Sequence, residues 1–258
     1  MSFQLSPTLR EQLAGADRPL VGMWVTSGSP VVAEICAGSG VDWLLIDMEH
    51  AANGLESVLA QLQAVGAYPV TPVVRVPTGD PVVIKQVLDL GAQTIIVPMV
   101  GSAAEAEALV RATRYAPDGI RGVGSALARS ARWNRVEGYL ADAQRHVSLV
   151  VQIESADAVE HAAEIAAVDG VDGIFVGPAD LAASMGVIGQ QAHPDVTAAV
   201  HRVFDAARSA GTAVGVNAFD PQVADAYLAA GADFIAVGAD VTLLARGSTA
   251  LADRFHTP

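Results

Sequence analysis

Four segments of this chain repeat one pattern: GVDWLLID from Gly40, GAQTIIVP from Gly91, GVDGIFVG from Gly170 and GADFIAVG from Gly231. Each glycine follows a stretch of helical spacing, where a residue free to take positive φ can end a helix before the chain turns into a strand. The apolar runs are mostly continuous rather than alternating, which suits strands buried on both faces. With four more runs of the same kind, eight strands are expected: 22–25, 43–47, 72–76, 94–98, 149–153, 173–177, 213–217 and 234–238. Segments of alanine, leucine and charge at helical spacing separate them. Eight βα units in 258 residues make a (β/α)8 TIM barrel of class α/β the expected fold, one domain over 1–258 with a helical lead-in over about residues 1–19. A doubly wound open sheet is the runner-up, but no Gly-x-Gly-x-x-Gly turn follows the first strand. One long irregular stretch, 115–134, interrupts the fourth unit, and loops of that length are usually functional or interfacial.

Composition narrows the function. Hydrophobic residues make up 52% of the chain, ample for a barrel core. A net charge of −13 repels a phosphate backbone, so no nucleic-acid partner is expected. No apolar stretch approaches the roughly 18 to 20 residues of a membrane span, and MSFQLSPTLREQLAGADRP lacks a signal-peptide core, so the expected setting is cytoplasmic and not membrane-bound. Cys36 is the single cysteine, which excludes an internal disulfide and suits helix packing.

The ends of the expected strands carry Asp47, Glu49 and His50 after the second, Arg75 in the third, Gln152 and Glu154 at the fifth and Asp180 after the sixth. In a parallel barrel such positions converge on one mouth. Glu154 and Asp180 are hard oxygen ligands suited to magnesium or manganese, and two carboxylates leave positions open for water and a chelating substrate. Each acid alone could instead be a helix cap or an ion-pair partner, Asp180 in particular capping the helix after GPA. His50 can serve as a general base near neutral pH or as a structural histidine bonded to Asp47. Arg75, inside an apolar strand, needs an anionic or oxygen-rich partner; a buried salt bridge and an enolate stabiliser are both open to it. The backbone of 177–180 leads into a helix N-terminus, where free N–H groups favour a carboxylate. Lys85, the only lysine, falls inside a helix and is poorly placed for Schiff-base chemistry. His146, His161, His193, His201 and His256 lack ligand spacing and read as surface residues.

The blocks DWLLIDMEH, PVVRV, LDLGAQTIIVPMV, RYAPDGIRGVG, SALARSARWN, VQIE and GPADL closely resemble the metal-dependent hydroxy-ketoacid aldolases of the HpcH/HpaI family, over about Val21 to Arg254. The resemblance implies reversible cleavage of 4-hydroxy-2-oxoacids to an aldehyde and pyruvate, an aldehyde-lyase activity, with a divalent metal (magnesium, manganese or cobalt) and no organic cofactor. It implies that Glu154 and Asp180 hold the metal, that Gln152 and the backbone of Ala179 and Asp180 contact substrate, that Arg75 stabilises the enolate and that His50 works with water as base. It further implies that Asp89 of a neighbouring subunit supports the histidine, and hence a homo-oligomer, a hexamer with exchanged C-terminal helices. Sequence pattern alone reads Asp89 as an exposed helix-end residue. Asn217 departs from the apolar residue that relatives tend to carry there. It either gives the donor pocket a polar wall that accepts hydroxypyruvate as well as pyruvate, or caps its own turn. Two rival readings stand beside this one: an acyl-CoA lyase of a related barrel family, for which no basic adenine-phosphate patch is evident, and a non-catalytic metal-binding barrel.

Overall fold

The structure, a computed structural model, describes residues 4–256. All eight strands form: β1 Leu20–Val25, β2 Trp43–Asp47, β3 Thr71–Arg75, β4 Thr94–Val97, β5 Ser148–Ile153, β6 Gly173–Val176, β7 Ala213–Asn217 and β8 Phe234–Ala239. They pair in chain order, all parallel, and β8 returns to β1 to close the barrel. The closing seam is irregular, its register shifting between Gly22 and Trp24.

The four repeat glycines share one backbone conformation, with φ of +92° at Gly40, +94° at Gly91, +99° at Gly170 and +99° at Gly231. An L side chain rarely adopts such values, which explains the invariant first letter of the repeat. The aspartate two residues on has its own task. Asp42, Asp172 and Asp233 each accept, at 2.8 Å, the backbone N–H of the second residue of the preceding strand, Val21, Leu149 and Val214 respectively. Each also returns its own N–H to that residue's carbonyl. The repeat is therefore a latch that sets one strand beside the last. Gln93, in the second copy, uses its amide differently and donates to Ser6 O at 2.7 Å.

Aromatic rings fill the barrel interior. Trp43 meets Phe234 edge-on at 5.7 Å between centroids and Phe175 at 6.2 Å, and Phe175 stacks on Phe234 at 5.8 Å. Such pairs add about 0.5–1.5 kcal/mol each beyond the area they bury. Gly22 and Gly215 make room for them, because a Cβ at either would collide with the Trp43 indole or the Phe234 ring. The helix Leu9–Gly15, started by a Thr8–Glu11 capping box, closes the amino-terminal end: Leu9 is fully buried and its N–H donates to Thr94 Oγ1 at 3.0 Å. Outside the strands a second apolar layer packs against the surrounding helices, with Ile84, Val87, Val203 and Phe204 among its members. Cys36 is buried in the helix Pro30–Ala37, beside Ala33 and Leu44.

Two segments stand apart from this packing. The C-terminal helix Asp240–His256 leaves Leu243, Leu244, Leu251 and Phe255 between 60% and 74% exposed. The irregular stretch folds back over the end of the helix Pro81–Asp89: Arg121, its side chain fully buried, pairs with Asp89 at 2.9 Å and lies over the Tyr115 ring. Among the described residues no helix is long and apolar enough to cross a membrane.

Candidate active site

At the carboxyl end of the barrel the parallel register sets Asp47 directly beside Arg75. Residues at matching positions of adjacent strands point the same way, so an acid and a guanidinium meet without water between them. Asp47 is 1% and Arg75 4% exposed; Nε and Nη2 donate to the two carboxylate oxygens at 2.8 and 2.9 Å. Glu49 approaches the third nitrogen, its Oε2 lying 2.9 Å from Nη1. The Trp24 ring covers the same guanidinium, 4.3 Å from its carbon. Arg75 is thus fixed on several sides, and it is among the residues that line the cavity described below.

After Asp47 the chain turns sharply. The carboxylate accepts the backbone N–H of Glu49 at 3.0 Å and of His50 at 3.3 Å, while its carbonyl accepts from Asn53 Nδ2 at 2.7 Å. It is the His50 backbone, not the imidazole, that bonds Asp47. The imidazole stands at the rim, 66% exposed, its Nε2 3.9 Å from Glu49 Oε2.

β5 supplies Gln152 and the following Glu154, each 2% exposed. Glu154 Oε1 accepts from Met99 N–H at 2.8 Å, and Oε2 accepts from Gln152 Nε2. Burial, together with the nearby Glu49 and Asp180 carboxylates, pushes the Glu154 carboxyl up to about 7, although Met99 N–H and the Arg75 charge pull the other way. Glu49 is raised for the same main reason, loss of water. β6 ends at Gly177, which caps the helix Pro178–Ser184 and places Asp180 in its first turn. Asp180 is therefore not the cap, and its carboxylate lies within electrostatic reach of Glu154 and Glu49. A Cβ at residue 177 would stand 2.5 Å from Glu154 Oε2 and 2.8 Å from Gln152 Nε2, so any larger residue would have to displace that pair of side chains.

A cavity of about 320 Å³ opens at this end, lined by His50, Arg75, Gln152, Ala179, Asp180 and Asn217. The same wall includes residues that the sequence reading passed over: Trp24, Thr26, Phe175, Phe219 and Val241. Trp24 sits at an inward position near the end of β1, the only available signal for it. Asn217 does not cap its turn; its Oδ1 accepts the Trp24 indole N–H at 2.8 Å. Asp89 lies elsewhere, in a surface groove with Leu59, Gln63, Arg129 and Trp133. Larger cavities of about 670 and 570 Å³ occupy the amino-terminal end, but their arginines already serve local partners, Arg10 with Asp172 and Arg18 with Asp42.

The donor set suits a hard divalent cation. Among the described residues no three His, Cys, Asp or Glu side chains converge as a metal site; Glu154 and Asp180, whose carboxylates feel each other electrostatically, could hold a cation as a pair. Several carboxylates share one guanidinium here, and the Gln152 Oε1 atom is buried with no hydrogen-bond partner. Excess negative charge and an unsatisfied oxygen are what a cation with oxygen preference would offset.

The family model described as HpcH/HpaI aldolase/citrate lyase matches residues 20–247. The chain is 55% identical over 251 residues to the hydroxypyruvate/pyruvate aldolase of Deinococcus radiodurans, covering 97% of this chain and 90% of that one. It is 55% identical over 240 residues to the 4-hydroxy-2-oxo-heptane-1,7-dioate aldolase of Klebsiella pneumoniae, covering 93% and 91%. A crystal structure of an HpcH/HpaI aldolase/citrate lyase family protein from Burkholderia cenocepacia superposes with a TM-score of 0.92 at 43% identity, covering 96% of this chain and 99% of that one.

Proposed function

This chain belongs to the HpcH/HpaI aldolase/citrate lyase family, and we propose on that footing that it is a metal-dependent aldolase. It cleaves 4-hydroxy-2-oxoacids reversibly to an aldehyde and pyruvate or hydroxypyruvate. The observation that carries this reading is the meeting of His50, Arg75, Gln152 and Asp180, from four separate strand ends, on one cavity. The names of the relatives support aldol chemistry over thioester cleavage.

Glu154 and Asp180 would hold the divalent cation, magnesium, manganese or cobalt, which when bound supplies an electrophile for the ketone and carboxylate oxygens of a 2-oxoacid. The backbone N–H groups of Ala179 and Asp180, in the first turn of a helix, receive the substrate carboxylate. Gln152 contacts the substrate from β5. Arg75, immobilised by Asp47 and Glu49, offers N–H groups to the oxygen on which charge grows, and a donor already in place is worth several kcal/mol in a site of low dielectric. His50, acting with water, takes the proton from the C4 hydroxyl. The C3–C4 bond then breaks, its electron pair passing into the enolate as the aldehyde leaves; protonation at C3 completes the donor acid.

Asp89 of a neighbouring copy would orient His50, which makes the working unit a homo-oligomer. We assign it as a hexamer with exchanged C-terminal helices, a reading supported by the apolar exposure of Leu243, Leu244, Leu251 and Phe255. The proposed setting is cytoplasmic. The test is pyruvate methyl proton exchange into deuterated water with manganese present, alongside cleavage of a 4-hydroxy-2-oxoacid. Exchange and cleavage that both vanish with chelator are expected; absence of both in the metal-loaded protein would reject the assignment.

A further inference from the structure

Across the closing seam of the barrel, Trp24 near the end of β1 donates its indole N–H to Asn217 Oδ1 at the end of β7, at 2.8 Å. An indole nitrogen can only donate, so the amide atom facing it must be the oxygen. The NH2 group of Asn217 is thereby turned away from Trp24, and it has no partner among the described residues. Asn217 lines the same cavity as Arg75, Gln152 and Asp180, which gives those two N–H donors an outlet there. Trp24 is not free to release it. The ring is 8% exposed, the Arg75 guanidinium packs 4.3 Å from its centroid and Phe175 meets it edge-on at 6.3 Å.

We propose that Asn217 is a specificity residue for the donor acid and Trp24 its positioning residue, together selecting 2-oxoacids that carry a hydrogen-bond acceptor on C3. The inference deepens the aldolase reading and rests on it. A 3-hydroxy-2-oxoacid such as hydroxypyruvate places a hydroxyl oxygen where the amide can donate. Pyruvate offers a methyl group, and the amide then loses water without gaining a partner. Because the indole holds the amide oxygen, Asn217 turns its donor end rather than its carbonyl toward the cavity.

The test compares kcat/KM for hydroxypyruvate and pyruvate as donors, and calorimetric Kd values for both, with manganese present, in wild type and variants. Asn217→Leu removes the donors and should lower the hydroxypyruvate-to-pyruvate ratio roughly tenfold in both measures. Trp24→Phe keeps a ring beneath Arg75 but removes the indole N–H, and should lower the ratio severalfold, with little further change when Asn217→Leu is added. Asn217→Asp, which can still accept from Trp24 but cannot donate, should lower it as well, and serves where Trp24→Phe fails to fold. An unmoved ratio in Asn217→Leu overturns the role of Asn217. Independent, additive effects of the Trp24 and Asn217 substitutions overturn the positioning role of Trp24. A wild type that turns over neither donor and exchanges no pyruvate protons defeats the aldolase reading itself, an outcome distinct from an active enzyme whose ratio does not move.

Discussion

Arg75 and Asp47 form a two-pronged buried pair, Nε to Oδ1 at 2.8 Å and Nη2 to Oδ2 at 2.9 Å, created by the register of β2 against β3. A guanidinium stripped of water this far depends on its counter-charge. Removing one partner of such a pair costs on the order of 3 kcal/mol, because the other charge is left buried. Asp47→Asn is therefore expected to lower the melting temperature by roughly 6–12 °C and, if Arg75 stabilises the enolate as proposed, to cut turnover, since that guanidinium loses its anchor. Calorimetric melting and steady-state kinetics check it. Arg75→Lys should keep the charge but lose the fork, with more of the loss in kcat than in KM.

If Glu154 holds the metal and His50 moves the proton, as proposed, substitutions at the two positions should separate metal binding from proton transfer. Glu154→Ala should abolish manganese binding in a calorimetric titration and turnover with it. His50→Ala should bind manganese as wild type does, yet cleave about 10²- to 10⁴-fold more slowly, the usual contribution of a positioned acid–base group. Borohydride with pyruvate should leave the protein mass unchanged, because the only lysine, Lys85, sits in the helix Pro81–Asp89. A pyruvate adduct on Lys85 would sink the metal reading.

The barrel was legible in the sequence because its period is written in residue types: continuous apolar runs, and glycines whose φ values near +95° only glycine takes easily. The latch role of Asp42, Asp172 and Asp233 was not, since an aspartate after glycine carries no mark of the backbone N–H it accepts. Strand ends pointed to His50, Arg75, Gln152 and Asp180, because in a parallel barrel position along a strand is position in space. Trp24 escaped notice, since an aromatic near a strand end looks the same whether it fills the core or lines a cavity. Glu49 was visible only as one of several acids, and its contact with Arg75 depends on the tight turn that Asp47 organises.

Asp89 and His50 belong to different surfaces of one chain: Asp89 pairs with Arg121 beside a groove holding Leu59, Gln63, Arg129 and Trp133, and His50 stands at the barrel rim. If a neighbouring copy supplies Asp89, His50→Ala and Asp89→Ala should each be nearly inactive alone. Mixed under conditions that allow subunit exchange, they should regain part of the activity, since some sites then hold an intact histidine and an intact aspartate. Sedimentation of the wild type should give a hexamer, and Leu244→Asp, on the exposed face of the C-terminal helix, should shift it toward smaller species. A fully active monomer would overturn the shared site.

Asp240 ties the C-terminal helix to the barrel and sets a pH dependence of its own. At 5% exposure its carboxylate accepts from Thr26 N–H at 2.9 Å, Thr26 Oγ1 at 2.9 Å, Ser27 N–H at 3.0 Å and Val241 N–H at 2.8 Å. Burial alone would raise its pKa, but these donors outweigh it and hold the group below the ordinary 3.8. A pKa lower in the folded than in the unfolded chain means that the charged form favours folding. The stabilisation is complete above the unfolded value and is lost as pH falls through the folded one. Asp240→Asn keeps the shape but turns an NH2 group toward backbone donors, and should cost about 1–3 kcal/mol at pH 7. Urea unfolding of the two proteins should show a constant gap from about pH 5 upward that narrows below about pH 4 as Asp240 protonates in the wild type. A gap of the same size at pH 3 and pH 7 would mean that charge at this position contributes nothing.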